Sequence, residues 1–490
     1  MARELYLVNP PNPCDMKGFS GALLSLDLWT RKHAPSVRTR IVDEEETSIL
    51  NLENSLEQKL SDASETPFVG ITATTASYQG ALATARAIKK IRPGAKVILG
   101  GHHVNGQEYQ ILRHPEIDIT VTGEGEKALE SILRGDLNAP GITTRGELYI
   151  VSQRPQKGIP LTSQELNSLN CAEFNPEYHF RATQFKEASL VTARGCPLNC
   201  SFCAVRNPGD KSYRASSQDP EIVVNQFDYL MRGLKQRGLS QIIAVQDNFF
   251  AQNPTRAKDI ASRLKEYQAR TGQKLNWNVQ TRVEQFEDSD LVRLMAEAGC
   301  TSAYFGIENF DERMLKTLGK AHNSSNYIRT SQKAIENCLR YGIEPSILFQ
   351  AGIEGEDAES EKINCSALDK IGRIARRYSI VPTVYPSLSV VYPGTEFWDR
   401  MVKNGAPYDS IEEFCKWENS QEAKNYREAI HGYFAHGTGG IPPALIDIGK
   451  LRSREISLDM GRLEHVKGYI DRLKIIDGVR VYDYRNQTRK

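Results

Sequence analysis

The chemistry of this chain is most visible in three cysteines within one short segment, Cys196-Pro-Leu-Asn-Cys200-Ser-Phe-Cys203. Three thiolates on one loop can bind a zinc ion together with an outside ligand, or an iron–sulfur cluster. Zinc sites usually draw on two separated pairs of Cys or His, and the sequence has no second pair of that kind. The spacing therefore favours a [4Fe–4S] cluster with one open iron, and zinc or plain structural thiols are the alternatives. The other cysteines are scattered: Cys14, Cys171, Cys300, Cys338, Cys365 and Cys415.

The composition is that of a globular protein without a nucleic-acid partner or a membrane span. The 490 residues are 40% hydrophobic and 25% charged, and this length predicts about three domains. With 62 Lys and Arg against 61 Asp and Glu, the chain lacks the basic excess of a polyanion-binding protein. No stretch approaches the roughly 18 apolar residues of a membrane span, and no signal peptide is visible. The odd number of cysteines argues against a disulfide framework, so we expect a reduced, cytoplasmic location.

The first part of the chain has the pattern of a parallel α/β sheet, in which short apolar segments alternate with helix-length amphipathic ones. Strands are predicted at residues 5–8, 37–42, 68–71, 96–99 and 117–121. Loops of small residues follow several of them, at the strand ends where open parallel sheets bind ligands. Simple tight turns are the alternative explanation for these glycines. We predict a doubly wound, Rossmann-like domain over residues 1–140.

A second series of alternating strands and helices follows a Pro- and Gly-containing segment, residues 141–185, which we interpret as a linker. Its strands are predicted at residues 188–192, 242–246, 275–280, 302–305, 346–350 and 381–391. Six strands with intervening helices predict a partial (β/α)6 TIM barrel over residues 186–400. Residues 401–490 have a mixed pattern, and we predict a small C-terminal domain that packs over the barrel mouth and shapes the substrate site.

The segment from Arg194 to Cys203 resembles the cluster motif of radical S-adenosylmethionine (SAM) enzymes. Cys196, Cys200 and Cys203 match this motif position for position. The resemblance implies a [4Fe–4S] cluster whose open iron binds the amine and carboxylate of SAM. It also implies reductive cleavage of SAM to a 5′-deoxyadenosyl radical, and hence an electron donor such as flavodoxin or ferredoxin.

The same resemblance implies SAM-binding residues at the strand ends of the second series. The candidates are Gln246, Asp247, Arg282, Glu308, Gly352 and Tyr392. A cation at position 282 can hold the SAM carboxylate through a bidentate pair, although a structural arginine is the alternative.

The N-terminal domain is similar to the cobalamin-binding domain of the B12-dependent radical SAM subclass. The implied cobalamin contacts lie on three loops: Thr72, Thr74, Thr75, Gly100, Gly101, His102, Gly123 and Glu124. The chain departs from the wider B12-binding fold because residues 9–21 lack the Asp-x-His-x-x-Gly motif that supplies a cobalt ligand. Many members of the subclass also lack it. His102 and His103 are either cobalt ligands or hydrogen-bonded loop histidines.

The resemblance implies a methyltransferase that uses a 5′-deoxyadenosyl radical and methylcobalamin to methylate an unactivated carbon, or phosphorus, of a small molecule. One alternative keeps both cofactors and catalyses a ring rearrangement, cyclisation or oxidation without net methylation. A second is a radical SAM enzyme whose N-terminal domain has lost its cofactor. A third is a non-catalytic Fe–S or metal-sensing protein. The sequence identifies neither the substrate nor individual catalytic residues.

Overall fold

The computed structural model describes residues 3–11, 20–44, 47–75, 77–145, 158–180, 187–205, 215–392, 394–403 and 460–482. Cys14 and most of the predicted C-terminal domain lie outside these ranges. None of the helices in the described part is long and apolar enough to cross a membrane. The described residues form two large sheets, each packed between helices.

The first sheet is the predicted doubly wound domain. Its strands are β1 (Arg3–Asn9), β2 (Val37–Asp43), β3 (Phe68–Thr72), β4 (Lys96–Gly100), β5 (Ile119–Val121) and β6 (Ile142–Thr144). They lie in the order β2-β1-β3-β4-β5-β6, and β1 to β5 are parallel. The order reverses between β1 and β3, which is the place where such sheets bind ligands.

Helices cover both faces of this sheet. They are α1 (Gly21–His33), α2 (Leu52–Lys59), α3 (Tyr78–Ile91), α4 (Glu108–Ile111) and α5 (Glu126–Arg134). Alternate residues of β1 enter different cores, because successive side chains of a strand point to opposite faces. Tyr6 and Val8 pack with α2 and α3, whereas Leu5 and Leu7 pack with α1 and α5.

Strand β6 was not predicted, and it lies in the segment that we interpreted as a linker. It pairs antiparallel with β5 and closes that edge of the sheet. Gly141, which has a φ of 89°, allows the chain to turn back just before it. A strand of three residues is too short to show an alternating pattern in the sequence.

The following segment packs on the first domain. It contains α6 (Ser163–Asn167) and α7 (Pro176–His179). Helix α6 begins with a capping box between Thr162 and Glu165. Leu161, Leu166 and Leu169 are buried against Leu28 and Trp29 of α1.

The second sheet winds in one direction. Its strands are β7 (Glu187–Leu190), β10 (Ile242–Val245), β11 (Trp277–Thr281), β12 (Cys300–Glu308), β13 (Glu344–Ala351), β14 (Thr383–Leu388) and β15 (Arg480–Val481). All are parallel and lie in chain order, as the predicted partial barrel requires. A small antiparallel pair, β8 (Ala193–Arg194) and β9 (Ser216–Ser217), follows β7.

The helices of this domain are α8 (Pro220–Gln236), α9 (Pro254–Thr271), α10 (Ser289–Glu297), α11 (Glu312–Thr317), α12 (Ser324–Tyr341), α13 (Ala358–Ala375), α14 (Glu396–Lys403) and α15 (Met460–Lys474). Val466, Tyr469, Ile470 and Leu473 of α15 are buried in the same core as the strands. The C-terminal part of the chain thus adds a helix and the strand β15 to this core, neither of which was predicted.

Candidate functional site

The three cysteines lie on a loop after β8, and we call residues 195–203 the cysteine loop. The loop begins at Gly195, whose φ of 81° is left-handed. The Cys203 amide donates a hydrogen bond to the carbonyl of Cys200 at 3.1 Å, which closes a turn between these two thiols. Cys200 is buried, whereas Cys196 and Cys203 are partly exposed.

Two distant segments hold the cysteine loop through Ser201. The Ser201 amide donates to the Leu318 carbonyl at 2.9 Å, and the Phe397 amide donates to the Ser201 carbonyl at 3.2 Å. A Cβ atom on Gly319 would lie 2.9 Å from the Ser201 hydroxyl oxygen. Only glycine therefore fits beneath the loop at this position.

Asp247 fixes the chain just before the cysteine loop. Its carboxylate accepts hydrogen bonds from the Thr192 amide at 2.6 Å, the Thr192 hydroxyl at 2.6 Å and the Ala193 amide at 2.8 Å. Burial raises the pKa of Asp247, and these hydrogen bonds oppose that rise. Asp247 is fully buried, whereas its neighbour Gln246 is exposed. Of this predicted pair, only Gln246 faces the open side of the strand end.

Arg282, at the end of β11, lies against the cysteine loop. Its Nη1 atom is 3.9 Å from the Cys200 sulfur, and its Nη2 atom donates to the Lys320 carbonyl at 3.0 Å and to Glu284 at 2.6 Å. Burial raises the pKa of the Cys196 thiol, while the charges of Arg282 and Lys320 oppose that rise. The two cations thus favour thiolates in this loop.

Glu308 lies at the centre of a second buried group. Lys320 donates to its Oε1 atom at 3.1 Å, and Gln350 donates to its Oε2 atom at 2.9 Å. Glu308 has a φ of 72°, and no other non-glycine residue in the described part of the chain has a positive φ. A non-glycine residue in this conformation costs about 1–3 kcal/mol, which is typical of functional sites.

The sequence reasoning identified Arg282 and Glu308 but missed the residues that connect them. Lys320 joins both, because its carbonyl accepts from Arg282 and its amine donates to Glu308. The Tyr327 ring lies 5.4 Å from the Arg282 guanidinium, and burial raises the pKa of Tyr327 to about 12. No sequence pattern marks Lys320, Tyr327 or Gln350, because their partners come from other strands.

Gly352 and Tyr392, the remaining SAM candidates, lie on the loops after β13 and β14. Gly352 has a φ of 74°, and its amide donates to Glu356 at 2.6 Å. The Tyr392 carbonyl accepts from the Thr395 hydroxyl at 2.6 Å.

A cavity of about 540 Å³ lies between the two domains. One wall consists of the loops after β3, β4 and β5, residues 72–75, 100–103 and 123–125, which we call the glycine loops. The other wall includes Arg194, Gly195, Gln246 and Asn248. All the predicted cobalamin contacts line this cavity except Thr75.

The contacts that hold the glycine loops together involve mainly backbone atoms. The Ala73 amide donates to the Gly100 carbonyl at 2.7 Å, and Gly101 has a φ of 102°. A Cβ atom on Gly101 would lie 2.4 Å from the Ala73 carbonyl oxygen. Thr74 and Ser77 exchange hydrogen bonds between their hydroxyls and backbone amides. These contacts hold the loops after β3 and β4 together as a cradle beside the cavity, in which a side chain at position 101 would clash with the Ala73 backbone.

The two adjacent histidines have different surroundings. His102 is exposed and lines the cavity, whereas His103 is buried behind it. The His103 Nδ1 atom is 3.1 Å from the Thr75 hydroxyl, and its ring lies 4.1 Å from that of Tyr78. Burial lowers the pKa of His103 to about 3. Of the two, only His102 can contact a molecule in the cavity directly.

Arg194 connects the two walls. It donates to Glu126 at 2.8 Å, to Glu124 at 3.3 Å and to the Ser25 hydroxyl at 2.8 Å. Burial raises the pKa of Glu124. In Glu126, burial opposes the charged form, but the charge of Arg194 and the hydrogen bonds from Ser25 and Arg194 together lower the pKa.

The donor sets fit an iron–sulfur cluster and a large cofactor beside it. In the described part of the chain, no three His, Cys, Asp or Glu side chains are grouped closely enough to hold a single metal ion. Three thiols on one loop, with the buried cations Arg282 and Lys320 near Cys196 and Cys200, are donors that suit a cluster with anionic thiolate ligands. The glycine cradle offers close access to backbone groups on the facing wall.

Two parts of the chain match known families. Residues 40–133 match the B12 binding domain, and residues 190–363 match the Radical SAM superfamily.

Relatives that resemble the chain in sequence include methyltransferases and a cyclase. An uncharacterized methyltransferase of Pyrococcus horikoshii is 27% identical over 69% of this chain and 69% of its own. Bacteriochlorophyllide d C-8(2)-methyltransferase of Chlorobaculum tepidum is 23% identical over 78% of this chain and 76% of its own. Anaerobic magnesium-protoporphyrin IX monomethyl ester cyclase of Rubrivivax gelatinosus is 26% identical over 60% of this chain and 52% of its own.

Among solved structures, the fold resembles that of the radical S-adenosylmethionine methyltransferase TsrM from Kitasatospora setae, with cobalamin and a [4Fe-4S] cluster bound. The TM-score is 0.60 at 18% identity, over 83% of this chain and 79% of the TsrM chain. At this identity the likeness is one of fold.

Proposed function

Since residues 40–133 match the B12 binding domain and residues 190–363 match the Radical SAM superfamily, we propose that the chain is a cobalamin-dependent radical SAM methyltransferase. Its cofactors are a [4Fe–4S] cluster, SAM and cobalamin. The substrate is a small molecule, which is methylated at an unactivated carbon or at phosphorus. The observation that carries this proposal is the shared cavity, which the glycine loops and the start of the cysteine loop line together.

When bound, the cluster with SAM supplies a 5′-deoxyadenosyl radical, and cobalamin supplies the methyl carrier. We assign the cluster to Cys196, Cys200 and Cys203, whose anionic charge Arg282 and Lys320 compensate. Buried cations beside thiols favour the thiolate form. The loop needs this support because burial raises the pKa of the Cys196 thiol, and the charges of Arg282 and Lys320 oppose that rise.

We assign the polar groups of SAM to the strand ends around Glu308. Lys320 and Gln350 orient this carboxylate from two sides, so that it is fixed before a ligand arrives. A carboxylate suits the SAM amine, and the exposed Gln246 offers both a donor and an acceptor at the end of β10. Because the surrounding side chains are buried, a charge placed here interacts more strongly than in water.

We assign cobalamin to the cavity and the glycine loops. Gly100, Gly101 and Gly123 would let the cofactor approach the backbone, and His102, which is exposed to the cavity, would be a side chain that can contact it. The wall that the second domain contributes would exclude water from the site. This arrangement keeps the methyl carrier and the radical source next to the same substrate, which is what a radical methyl transfer requires.

A reaction without net methylation is the second candidate, and the likeness to the cyclase favours it. Both reactions need the same two cofactors, so the site residues do not separate them. The mass of the product does, because methylation adds one carbon.

The proposal is tested by anaerobic reconstitution with iron, sulfide and hydroxocobalamin, followed by SAM and a reductant. We expect cluster and corrin absorbance and the formation of 5′-deoxyadenosine. Small-molecule extracts incubated with trideuteriomethyl-labelled SAM should then yield a product that carries the label. Absence of 5′-deoxyadenosine would overturn the proposed radical reaction. A product that forms from labelled SAM but does not carry the label would favour the second candidate, the reaction without net methylation.

A flavodoxin- or ferredoxin-type electron donor and a cytoplasmic location complete the proposal. The supporting observation is that the cysteines in the described part of the chain are free thiols. Such thiols are typical of a reducing compartment.

A further inference from the structure

Arg194, the residue just before the cysteine loop, contacts the first domain through charged groups. Its backbone is part of β8, two residues before Cys196, and pairs with Ser216. Its guanidinium extends into the first domain, where it donates to Glu124, Glu126 and Ser25. A single residue thus joins the cluster-bearing segment to the loop after β5.

The two carboxylates depend on this arginine. The side chains of Glu124 and Glu126 are only 13% and 4% exposed, and Arg194 is the cation paired with both of them. Glu126 also accepts from the Ser25 hydroxyl at 2.5 Å, and Glu124 accepts from the Leu161 amide at 3.0 Å. Two buried acids without their cation would repel each other and would lack water to compensate them.

A second contact between the domains lies across the cavity mouth. A Cβ atom on Gly394 would lie 2.4 Å from the Asn105 carbonyl oxygen, so the loop after β14 touches the first domain there. The Asn105 side chain in turn accepts from the Gly123 amide at 3.1 Å. Gly123 precedes Glu124, which leads back to Arg194.

These contacts close on themselves, and we call the closed set the interdomain ring. It runs from Arg194 through Glu124, Gly123 and Asn105 to Gly394. From there it returns along the chain to Phe397, whose amide donates to Ser201 of the cysteine loop. A closed set of contacts holds the two domains in place better than a single contact does, because no residue of the set can move without stretching a neighbouring contact.

We propose that Arg194 is a positioning residue that sets the spacing between the cysteine loop and the glycine loops, with Glu124 and Glu126 as its partners. Glu124 then belongs to the ring rather than to the cobalamin contacts. The part of this inference that concerns cofactors rests on the proposed function. Spacing matters because small displacements between reactants lower the rate of a radical transfer steeply.

The first test needs no cofactor. Hydrogen–deuterium exchange is measured on the full chain and on the Arg194→Gln, Glu126→Gln and Arg194→Lys variants. We expect peptides 122–129 and 193–205, which lie on opposite domains, to exchange at least about tenfold faster in Arg194→Gln and Glu126→Gln. Arg194→Lys should lie between these variants and the native chain, because lysine cannot donate to several acceptors in a fixed plane.

Arg40→Gln is the matched control, since Arg40 also makes a two-bond pair with a carboxylate, Asp62, but on the outer side of the first domain. It should leave both peptides unchanged. Native exchange rates on either peptide in both Arg194→Gln and Glu126→Gln would overturn the inference.

The second test measures the spacing itself. Pulsed EPR between cobalt(II) and the reduced cluster should give a narrow distance distribution in the native protein and one about twice as wide or wider in Arg194→Gln. Iron content should stay within about twofold of native, because Arg194 is not one of the three proposed thiolate ligands, and the distance is measured only in molecules that hold both cofactors. An unchanged distribution would overturn the inference. A native protein that binds no cobalamin would overturn the proposed function instead, and the exchange experiment would still decide on the ring.

Discussion

The two proposed cofactor sites of this chain differ in the chemical groups that form them. At the strand ends of the second sheet, long side chains pair with one another: the buried Arg282 with the partly exposed Glu284, and the buried Lys320 and Gln350 with Glu308. At the strand ends of the first sheet, the loops pack backbone against backbone, and a Cβ atom at Gly101 would clash with Ala73.

The difference follows from the ligands that we propose for each site. A cluster and SAM carry concentrated charges, which need charged side chains that are oriented in advance. A corrin is a large, broad molecule, which needs room and backbone hydrogen-bonding groups more than local charge. We therefore expect the loss of a charged side chain to have the largest effects in the second site. In the first site, we expect the largest effects from added side-chain volume.

The largest effect is expected for Cys200→Ala. A cluster held by three thiolates loses one ligand, so the iron content, the cluster absorbance and 5′-deoxyadenosine formation should fall to background. Iron analysis, absorbance and product chromatography check this. The control is Cys365→Ala, which removes a partly buried thiol on α13 and should leave all three near native. A Cys200→Ala variant that still cleaves SAM would contradict the cluster assignment.

Lys320→Gln tests whether buried charges control the second site. The change leaves Glu308 without its cation, so we expect a loss of about 3 kcal/mol in the free energy of unfolding. We also expect SAM cleavage to fall by roughly a hundredfold, because Glu308 is no longer held in place. Urea unfolding and initial rates per cluster measure the two effects. Lys333→Gln, a change at an exposed position on α12, is the control and should alter neither the stability nor the rate of SAM cleavage. Near-native SAM cleavage in Lys320→Gln would show that the Lys320–Glu308 pair is only structural.

Gly101→Ala tests whether added volume controls the first site. The new Cβ atom would meet the Ala73 carbonyl oxygen and would strain a residue with positive φ, which together cost about 1–3 kcal/mol. Cobalamin affinity should fall about tenfold or more while the cluster content stays native.

Two variants sharpen this test. Gly135→Ala has the same backbone strain, with a φ of 91°, but its Cβ atom would meet nothing within 4 Å. It should lower stability without changing cobalamin affinity. Thr74→Ala removes a side-chain hydroxyl from the cradle and should change the affinity by less than about threefold. A Thr74 effect as large as that of Gly101 would refute the backbone description.

The smallest effect on the two sites is expected from His103, which is buried behind the cavity wall and contacts Thr75. Its protonation should change the free energy of unfolding. Its pKa of about 3 in the folded protein lies below the value of about 6.5 in the unfolded chain, so the unfolded chain takes up the proton first. The free energy of unfolding should therefore be highest above pH 6.5. It should decline as the pH falls toward 3, by up to about 1.4 kcal/mol per pH unit. Urea unfolding of the cofactor-free chain between pH 7 and pH 5 measures this slope. His103→Gln should flatten it, and the exposed His322→Gln should not; equal slopes in all three proteins would contradict the assignment.

The sequence predicted the parts of the molecule that have local signatures. Short apolar segments located β3 and β4, and the spacing of Cys196, Cys200 and Cys203 predicted the cysteine loop. Strands β6 and β15 were missed because two or three residues show no period.

Polar residues at strand ends were harder to interpret. Asp247 and Glu308 have the same kind of position in the sequence, yet Asp247 folds back onto Thr192 whereas Glu308 meets Lys320. Whether a carboxylate faces a cavity or the chain before it depends on long-range packing, which spacing alone does not encode. The partners of Arg194 were missed for the same reason, since Glu124 lies in the other domain.

The hydrogen bonds of Ser201 to Leu318 and Phe397 have a consequence for the way the protein matures. Both partners leave the ribosome long after the cysteines do, so the cysteine loop takes its final shape only when most of the second sheet has folded. Until then the thiols lie on an unfinished loop, open to oxidation. Iron delivery is therefore best timed as a late step of biogenesis, and a chain truncated before Phe397 should be a poor acceptor for iron even though it contains every ligand.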